Sequence, residues 1–256
     1  MRVSCLMVTM PRPERRAMMR RAIEAYLAQT HGDRELVVVV DRGVERDACV
    51  AAIAAYGRDD IVVHLPEGDL PIGALRNAGI AHAHGDLLCQ WDDDDLHHPE
   101  RISGQMAALA ASGGDGVVMR DVLMLDAANG ALRWLNWAAT PVGGHPATLL
   151  CPRDRAPAYP ETGPDSRLGE DVAALTPMRG SGVLHAQEGD PHLYVYVSHG
   201  ANISGSPHHA MLAETLAIST GLLRRREGVL RDGLAAFGFA EGSISVCGPG
   251  GEAFRI

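Results

Sequence analysis

The chain has 256 residues, 46% of them hydrophobic and 21% charged, which is enough apolar material for one large domain or one domain with a smaller lobe. Its formal net charge of -9, with no basic run beyond Arg224, Arg225 and Arg226, argues against a nucleic-acid partner, which needs concentrated positive charge. Five cysteines without CxxC spacing predict buried thiols and no zinc, and no apolar run reaches the roughly 18 residues of a membrane span.

The N-terminus runs apolar first and basic second, the reverse of a signal peptide, so a cytoplasmic location is expected. Val3 to Thr9 predicts a buried strand, and the spacing of Met19, Ile23 and Leu27, with arginines between, predicts a helix after Pro13. "ELVVVVD" at 35–41 is too short and too β-branched for a helix. A helix over 46–56, a strand over 61–65, a helix within 71–85 and a strand over 86–91 complete a βαβαβαβ rhythm. Continuous apolar strands in this order predict an α/β fold, with a mainly parallel, Rossmann-like sheet and helices on both faces. Ligands in such sheets bind at the carboxyl ends of the strands, which selects Thr9, Asp41 and the acids that follow Trp91.

Beyond about residue 115 the pattern changes. A hairpin is predicted with Asn129-Gly130 at its turn, then a loop-rich stretch over 138–168, a short helix opened by "GED", and strands near 182–186 and 193–198. Residues 206–256 predict one or two helices with a strand and turn at the end. "GPGG" at 248–251 lacks the Lys-Ser/Thr of a phosphate loop and is expected to be a turn. The expected division is a first half over 1–115, a second half of the same domain over 116–205 and a C-terminal helical extension (206–256), with the last also a candidate homodimer contact.

The chemistry concentrates in "CQWDDDDLHHPERI" at 89–102. Two like charges in contact repel by about 4 kcal/mol at an effective dielectric near 20, so four adjacent carboxylates call for a neutralising cation. All-oxygen clusters suit Mg²⁺ or Mn²⁺, which bind one or two carboxylates and complete their shell with water and phosphate oxygens. An EF-hand fails because His97 and Ser103 stand where Gly and Glu are needed, and a DDxxD motif fails at Leu96. A metal–diphosphate site is therefore expected.

Four segments in series resemble glycosyltransferase family 2, whose members are inverting enzymes of GT-A fold: the opening strand–helix–strand, "IGALRNAGIAHAHGDLLCQWDDDDLHHPERI", "LGEDVAAL" and "YVSHGANIS". The resemblance spans roughly residues 3–204. It implies a GT-A fold with a smaller acceptor lobe, a nucleotide-sugar donor (UDP-, GDP- or dTDP-linked) and Mn²⁺ or Mg²⁺. It also implies site residues: Asp94 and His199 as metal ligands, Asp92 and Asp93 toward ribose and metal-bound water, Thr9 and Asp41 beside the nucleoside, and Arg76 and Asn77 beside the phosphates and ribose. Asp171 is implied as general base. Independently, Asp171 sits at a predicted helix N-terminus, whose dipole is expected to hold it ionised. Asp95 is left with helix capping or orientation of Arg101 as its expected tasks.

Two departures matter. Arg42 stands where many members carry a second acid after the second strand, which opens the choice of base. The QxxRW motif of processive synthases is absent, since "GALRW" at 130–134 has glycine at the first position and precedes "GED". The expected function is transfer of one sugar to an unidentified acceptor. The rivals are a nucleotidyltransferase, which normally opens with a glycine-rich basic loop that "TMPRPERR" lacks, and a non-catalytic sugar-nucleotide-binding protein.

Overall fold

A computed structural model describes residues 1–256. The first hundred residues form β1 (Val3–Thr9), α1 (Arg16–Leu27), β2 (Arg34–Val40), α2 (Arg46–Ala54), β3 (Ile61–His64), α3 (Ile72–Ala81), β4 (Leu87–Gln90) and the short β5 (Leu96–His97). There follow α4 (Arg101–Ser112), β6 (Gly116–Met119), β7 (Asp121–Asp126), β8 (Ala131–Asn136), β9 (His145–Pro152), α5 (Glu170–Gly180), β10 (Leu184–Gln187) and β11 (Tyr194–Ser198). The chain ends with α6 (Ser206–Leu216), α7 (Thr220–Arg225), α8 (Glu227–Leu234), β12 (Ser245–Gly248) and β13 (Gly251–Arg255).

Seven strands make the main sheet, in the order β10-β6-β9-β4-β1-β2-β3. All pairings are parallel except those of β9, which runs against both β4 and β6. The β-branched run of β2 explains its central place. Leu36, Val38 and Val40 enter the core under α1, with Met19, Ile23 and Tyr26, while Val37 enters the core on the opposite face with Leu6 and Leu88. A strand buried on both faces has no polar side to alternate with, hence the unbroken apolar sequence.

The smaller sheet has the order β13-β12-β8-β7-β11-β5. The chain passes from β6 in one sheet to β7 in the other across the single residue Arg120, and returns in β9. The predicted hairpin is β7–β8, and Gly130 takes the left-handed conformation (φ 68°) that its turn requires. The C-terminal residues form helices followed by a strand and turn, as expected, and a second strand after the turn. β12 pairs in parallel with β8, and Leu223, Leu230, Leu234, Val246 and Phe254 share one core with Leu123, Trp134 and Val195. The tail thus closes the second layer, with Leu223, Leu230 and Leu234 in that core. No helix is long and apolar enough to cross a membrane.

Candidate active site at the carboxyl edge of the main sheet

The strand β4 ends at Gln90 and releases the four aspartates into a tight segment before β5. Each carboxylate has different partners. Asp92 accepts from Arg76 Nη1 (3.2 Å) and Gln90 Nε2 (2.9 Å). Asp93, 1% exposed, accepts from Thr9 Oγ1 (2.5 Å) and pairs with Arg15, whose Nη2 also lies 3.0 Å from Asp94 Oδ2. Asp94 meets His199 Nε2 at 3.1 Å and Asn202 Nδ2 at 3.5 Å. Asp95 accepts from the Tyr194 hydroxyl and from the Val197 amide (2.7 Å), so it ties the aspartate segment to β11. It neither caps α4, which starts after Glu100, nor bonds Arg101.

Repulsion within the cluster is partly offset from within the chain. Two buried guanidiniums, Arg15 and Arg76, supply positive charge from within the chain. Burial and the neighbouring carboxylates push Asp93 up to about 6 and Asp95 well above the ordinary carboxylate range. Asp94 goes the other way. Burial works to raise it, but the His199 hydrogen bond and the Arg15 cation outweigh burial and hold it below its ordinary value.

A cavity of about 410 Å³ opens onto this edge, with the four aspartates, Arg15 and Asp171 in its wall. Asp171 arrives from α5, whose N-terminal residue Glu170 is buried and accepts from Arg76 Nε at 2.8 Å. The helix dipole expected to hold Asp171 ionised does not act alone. Burial and the adjacent Glu170 charge dominate over Arg76 and push it up to about 6. A carboxylate titrating there is a better match to proton abstraction near neutral pH than an ordinary aspartate.

A second lobe of about 680 Å³ shares Met10, Ile72, Arg167, Asn202 and Ile203 with the first, and is lined by Asp41, Arg42 and Arg12. Asp41 closes β2, and its Oδ1 accepts from the Arg42 amide (2.7 Å). Neither the Arg12 nor the Arg42 guanidinium has an ion-pair partner among the salt bridges of the chain, in contrast to Arg15 and Arg76.

The structure therefore brings together Asp92, Asp93, Asp94, Asp171, His199 and Arg76 and leaves two expected site residues apart. Thr9 is 1% exposed and spends its hydroxyl on Asp93, so it supports the aspartate segment and lines neither lobe of the groove. Asn77 is also outside both linings. Its amide donates to Tyr159 O (2.9 Å) and Glu161 Oε1 (2.7 Å) and accepts from Tyr159 N (3.0 Å), which fastens the loop over 156–161 to α3. That loop passes so close that a Cβ on Gly73 would lie 1.9 Å from Pro160 O. Arg15, Glu170 and Asn202 were not singled out from the sequence. Arg15 looks like one more arginine of "RPERR", and only its 6% exposure distinguishes it.

Comparison with known proteins agrees with this architecture. Residues 4–122 match the model of Glycosyl transferase family 2. An uncharacterized glycosyltransferase of Nostoc sp. is 32% identical over 82 residues, covering 32% of this chain and 26% of the relative. One of Rickettsia typhi is 31% identical over 91 residues, 36% of this chain and 27% of the relative. The matched segment thus spans about a quarter of the length of these two relatives. Among solved structures, S. aureus TarS 1-349 in complex with UDP-GlcNAc superposes with a TM-score of 0.60 at 14% identity, over 92% of this chain and 67% of that one. The mannosyltransferase PcManGT from Pyrobaculum calidifontis, in complex with GDP-Man and Mn²⁺, gives 0.56 at 16% identity, over 90% and 64%. Residues 4–122 thus resemble glycosyltransferase family 2, and the chain, with its mainly parallel sheet beside a smaller second sheet, has the GT-A fold.

Proposed function

We propose that this chain is a metal-dependent, inverting glycosyltransferase that moves a single sugar from a nucleotide-sugar donor to an acceptor hydroxyl. The observation that carries the proposal is the presence of two differently tuned carboxylates in one cavity wall: Asp94, held ionised beside His199, and Asp171, raised to about 6. Divergent carboxylate environments of this kind mark an acid–base pair or a ligand–base pair.

The donor set fits a hard divalent cation. Asp94 and His199 present a carboxylate oxygen and an imidazole nitrogen within 3.1 Å of each other, and Asn202 adds an amide beside them. Such a cation takes the rest of its shell from water and phosphate oxygens. Asp94 and His199 would hold Mn²⁺ or Mg²⁺, which when bound supplies positive charge against the leaving diphosphate. Arg15 and Arg76 keep Asp93, Asp94 and Asp92 in place before any ligand arrives. Glu170 fixes Arg76 from the other side. Asp171 accepts the proton of the acceptor hydroxyl as it attacks the anomeric carbon from the face opposite the diphosphate, which inverts the configuration in one displacement.

Asp41 and the second lobe are assigned to the nucleoside, with Arg42 at its edge. The ligands of the two solved relatives make UDP- and GDP-sugars the first donors to try. Incubation with a sugar-nucleotide panel and Mn²⁺ should release nucleoside diphosphate. Release of pyrophosphate from nucleoside triphosphates would point to a nucleotidyltransferase instead, and binding without turnover to a non-catalytic protein.

A further inference from the structure

A nucleoside diphosphate carries more negative charge than one divalent cation neutralises, and the wall it would face holds Asp92, Asp93, Asp94, Asp95 and Asp171. The three guanidiniums of that wall are not equivalent. Arg15 is buried and pairs with Asp93 and Asp94, and Arg76 is buried between Asp92 and Glu170. Both are spent on the chain's own carboxylates. Arg167 is 63% exposed in its side chain, and its guanidinium has one polar contact, 3.5 Å from the 85% exposed Asp69. An ion pair that long and that open to water contributes little, so this guanidinium is free to change partners. Its position is also distinctive. The two lobes of the groove share Met10, Ile72, Arg167, Asn202 and Ile203, and Arg167 is the only charged residue of the five. With the nucleoside in the lobe of Asp41 and the sugar in the lobe of Asp94 and Asp171, the diphosphate crosses that junction. The backbone around Arg167 is held on both sides. Ser166 is buried and its hydroxyl donates to Gly163 O (2.8 Å), and Glu170 is buried against Arg76. Gly163 and Gly169 bound the segment with left-handed φ of 81° and 82°.

We propose that Arg167 is a further catalytic residue: it exchanges Asp69 for the donor's diphosphate and offsets the charge that develops on the β-phosphate as the sugar departs. The inference rests on the transferase reading above and adds a group that neither the Asp94–His199 pair nor Asp171 supplies. As the acceptor oxygen bonds to the anomeric carbon, the bond from that carbon to the β-phosphate oxygen breaks and leaves its electron pair on the oxygen. The acceptor's proton goes to Asp171, and Arg167 exchanges no atom or proton. A planar guanidinium can donate to two phosphate oxygens at once. Positive charge held where negative charge grows in the transition state lowers the barrier.

The test is calorimetry on the full chain with Mn²⁺, comparing UDP, GDP and dTDP with their parent nucleosides. Arg167→Ala removes an exposed side chain, which folding tolerates. Its affinity for whichever nucleoside diphosphate the parent protein binds should fall about tenfold or more, the scale of a charge-assisted hydrogen bond, with the matching nucleoside unaffected. Arg167→Lys keeps the charge without the planar fork, and its affinity should lie between those of the parent and Arg167→Ala. Release of the diphosphate from its sugar conjugate should also slow in Arg167→Ala at saturating donor. Equal nucleoside-diphosphate affinity in the parent and Arg167→Ala, an equal loss for diphosphate and nucleoside, or an unchanged release rate at saturating donor would each overturn the inference and leave the transferase reading standing. A parent protein that binds none of the three nucleoside diphosphates would overturn both.

Discussion

His199 Nε2 lies 3.1 Å from Asp94 Oδ2, a contact made between residues 105 positions apart in sequence. It exists because Asp95, next to Asp94, is bonded to the Tyr194 hydroxyl and the Val197 amide of β11, the strand that leads into His199. The aspartate segment and the histidine loop are thus parts of one assembly, joined by the buried Asp95 carboxyl.

That joint can be tested apart from activity. Asp95→Asn keeps a carbonyl oxygen for the Val197 amide and the Tyr194 hydroxyl, and should cost about 1 kcal/mol or less. Asp95→Ala leaves both donors buried and unpaired, and should cost about 3 kcal/mol. Urea unfolding of the two variants gives both numbers.

Asp171→Asn should lower kcat by about 10²–10⁴-fold with little change in donor affinity, because a general base acts only in the transition state. In the parent protein kcat/KM should rise with pH through about 6, as Asp171 loses its proton. The stability effect has the opposite sense. A carboxyl raised above its ordinary 3.8 binds its proton more tightly in the folded chain, so ionising it costs stability as pH climbs from about 4 through 6. Asp171→Asn should therefore have the higher Tm at pH 8, with the difference gone near pH 4. An unchanged rate in the variant would remove Asp171 from the mechanism.

Gly73→Ala probes the loop behind Arg76. A Cβ 1.9 Å from Pro160 O has no room, so the loop over 156–161 must shift and loosen the bonds of Asn77 to Tyr159. The expected cost is about 1–3 kcal/mol, as for other overpacked sites. Thermal unfolding measures it, and a Tm equal to that of the parent would contradict the close packing.

Much of this was legible in the sequence because it depends on period and order. The apolar run of β2, the turn glycine Gly130 and the placing of four acids just beyond β4 all follow from local rules. Like-charge repulsion among the four acids is legible in sequence, but its compensation by buried arginines is not. Arg15 precedes Asp93 by 78 residues, and no pattern in "RPERR" says which arginine turns inward. The same holds for Asp171, whose helix position is visible in sequence but whose burial beside Glu170 is not. Thr9 and Asn77 carry family resemblance, yet their polar atoms serve neighbouring chain segments, a distinction that only three-dimensional contacts draw. The tail over 206–256 has helical leucine spacing, and its strand β12 depends on an edge of β8 far away in sequence.

The central claim is that Asp94 and His199 hold a divalent cation needed for donor turnover. Mn²⁺ binding measured by calorimetry with UDP or GDP present tests it most directly. One Mn²⁺ per chain should bind, with affinity lost in Asp94→Asn and reduced about 10–100-fold in His199→Ala. Mn²⁺ affinity equal to the parent's in Asp94→Asn, together with nucleoside-diphosphate release that EDTA does not diminish, would contradict it.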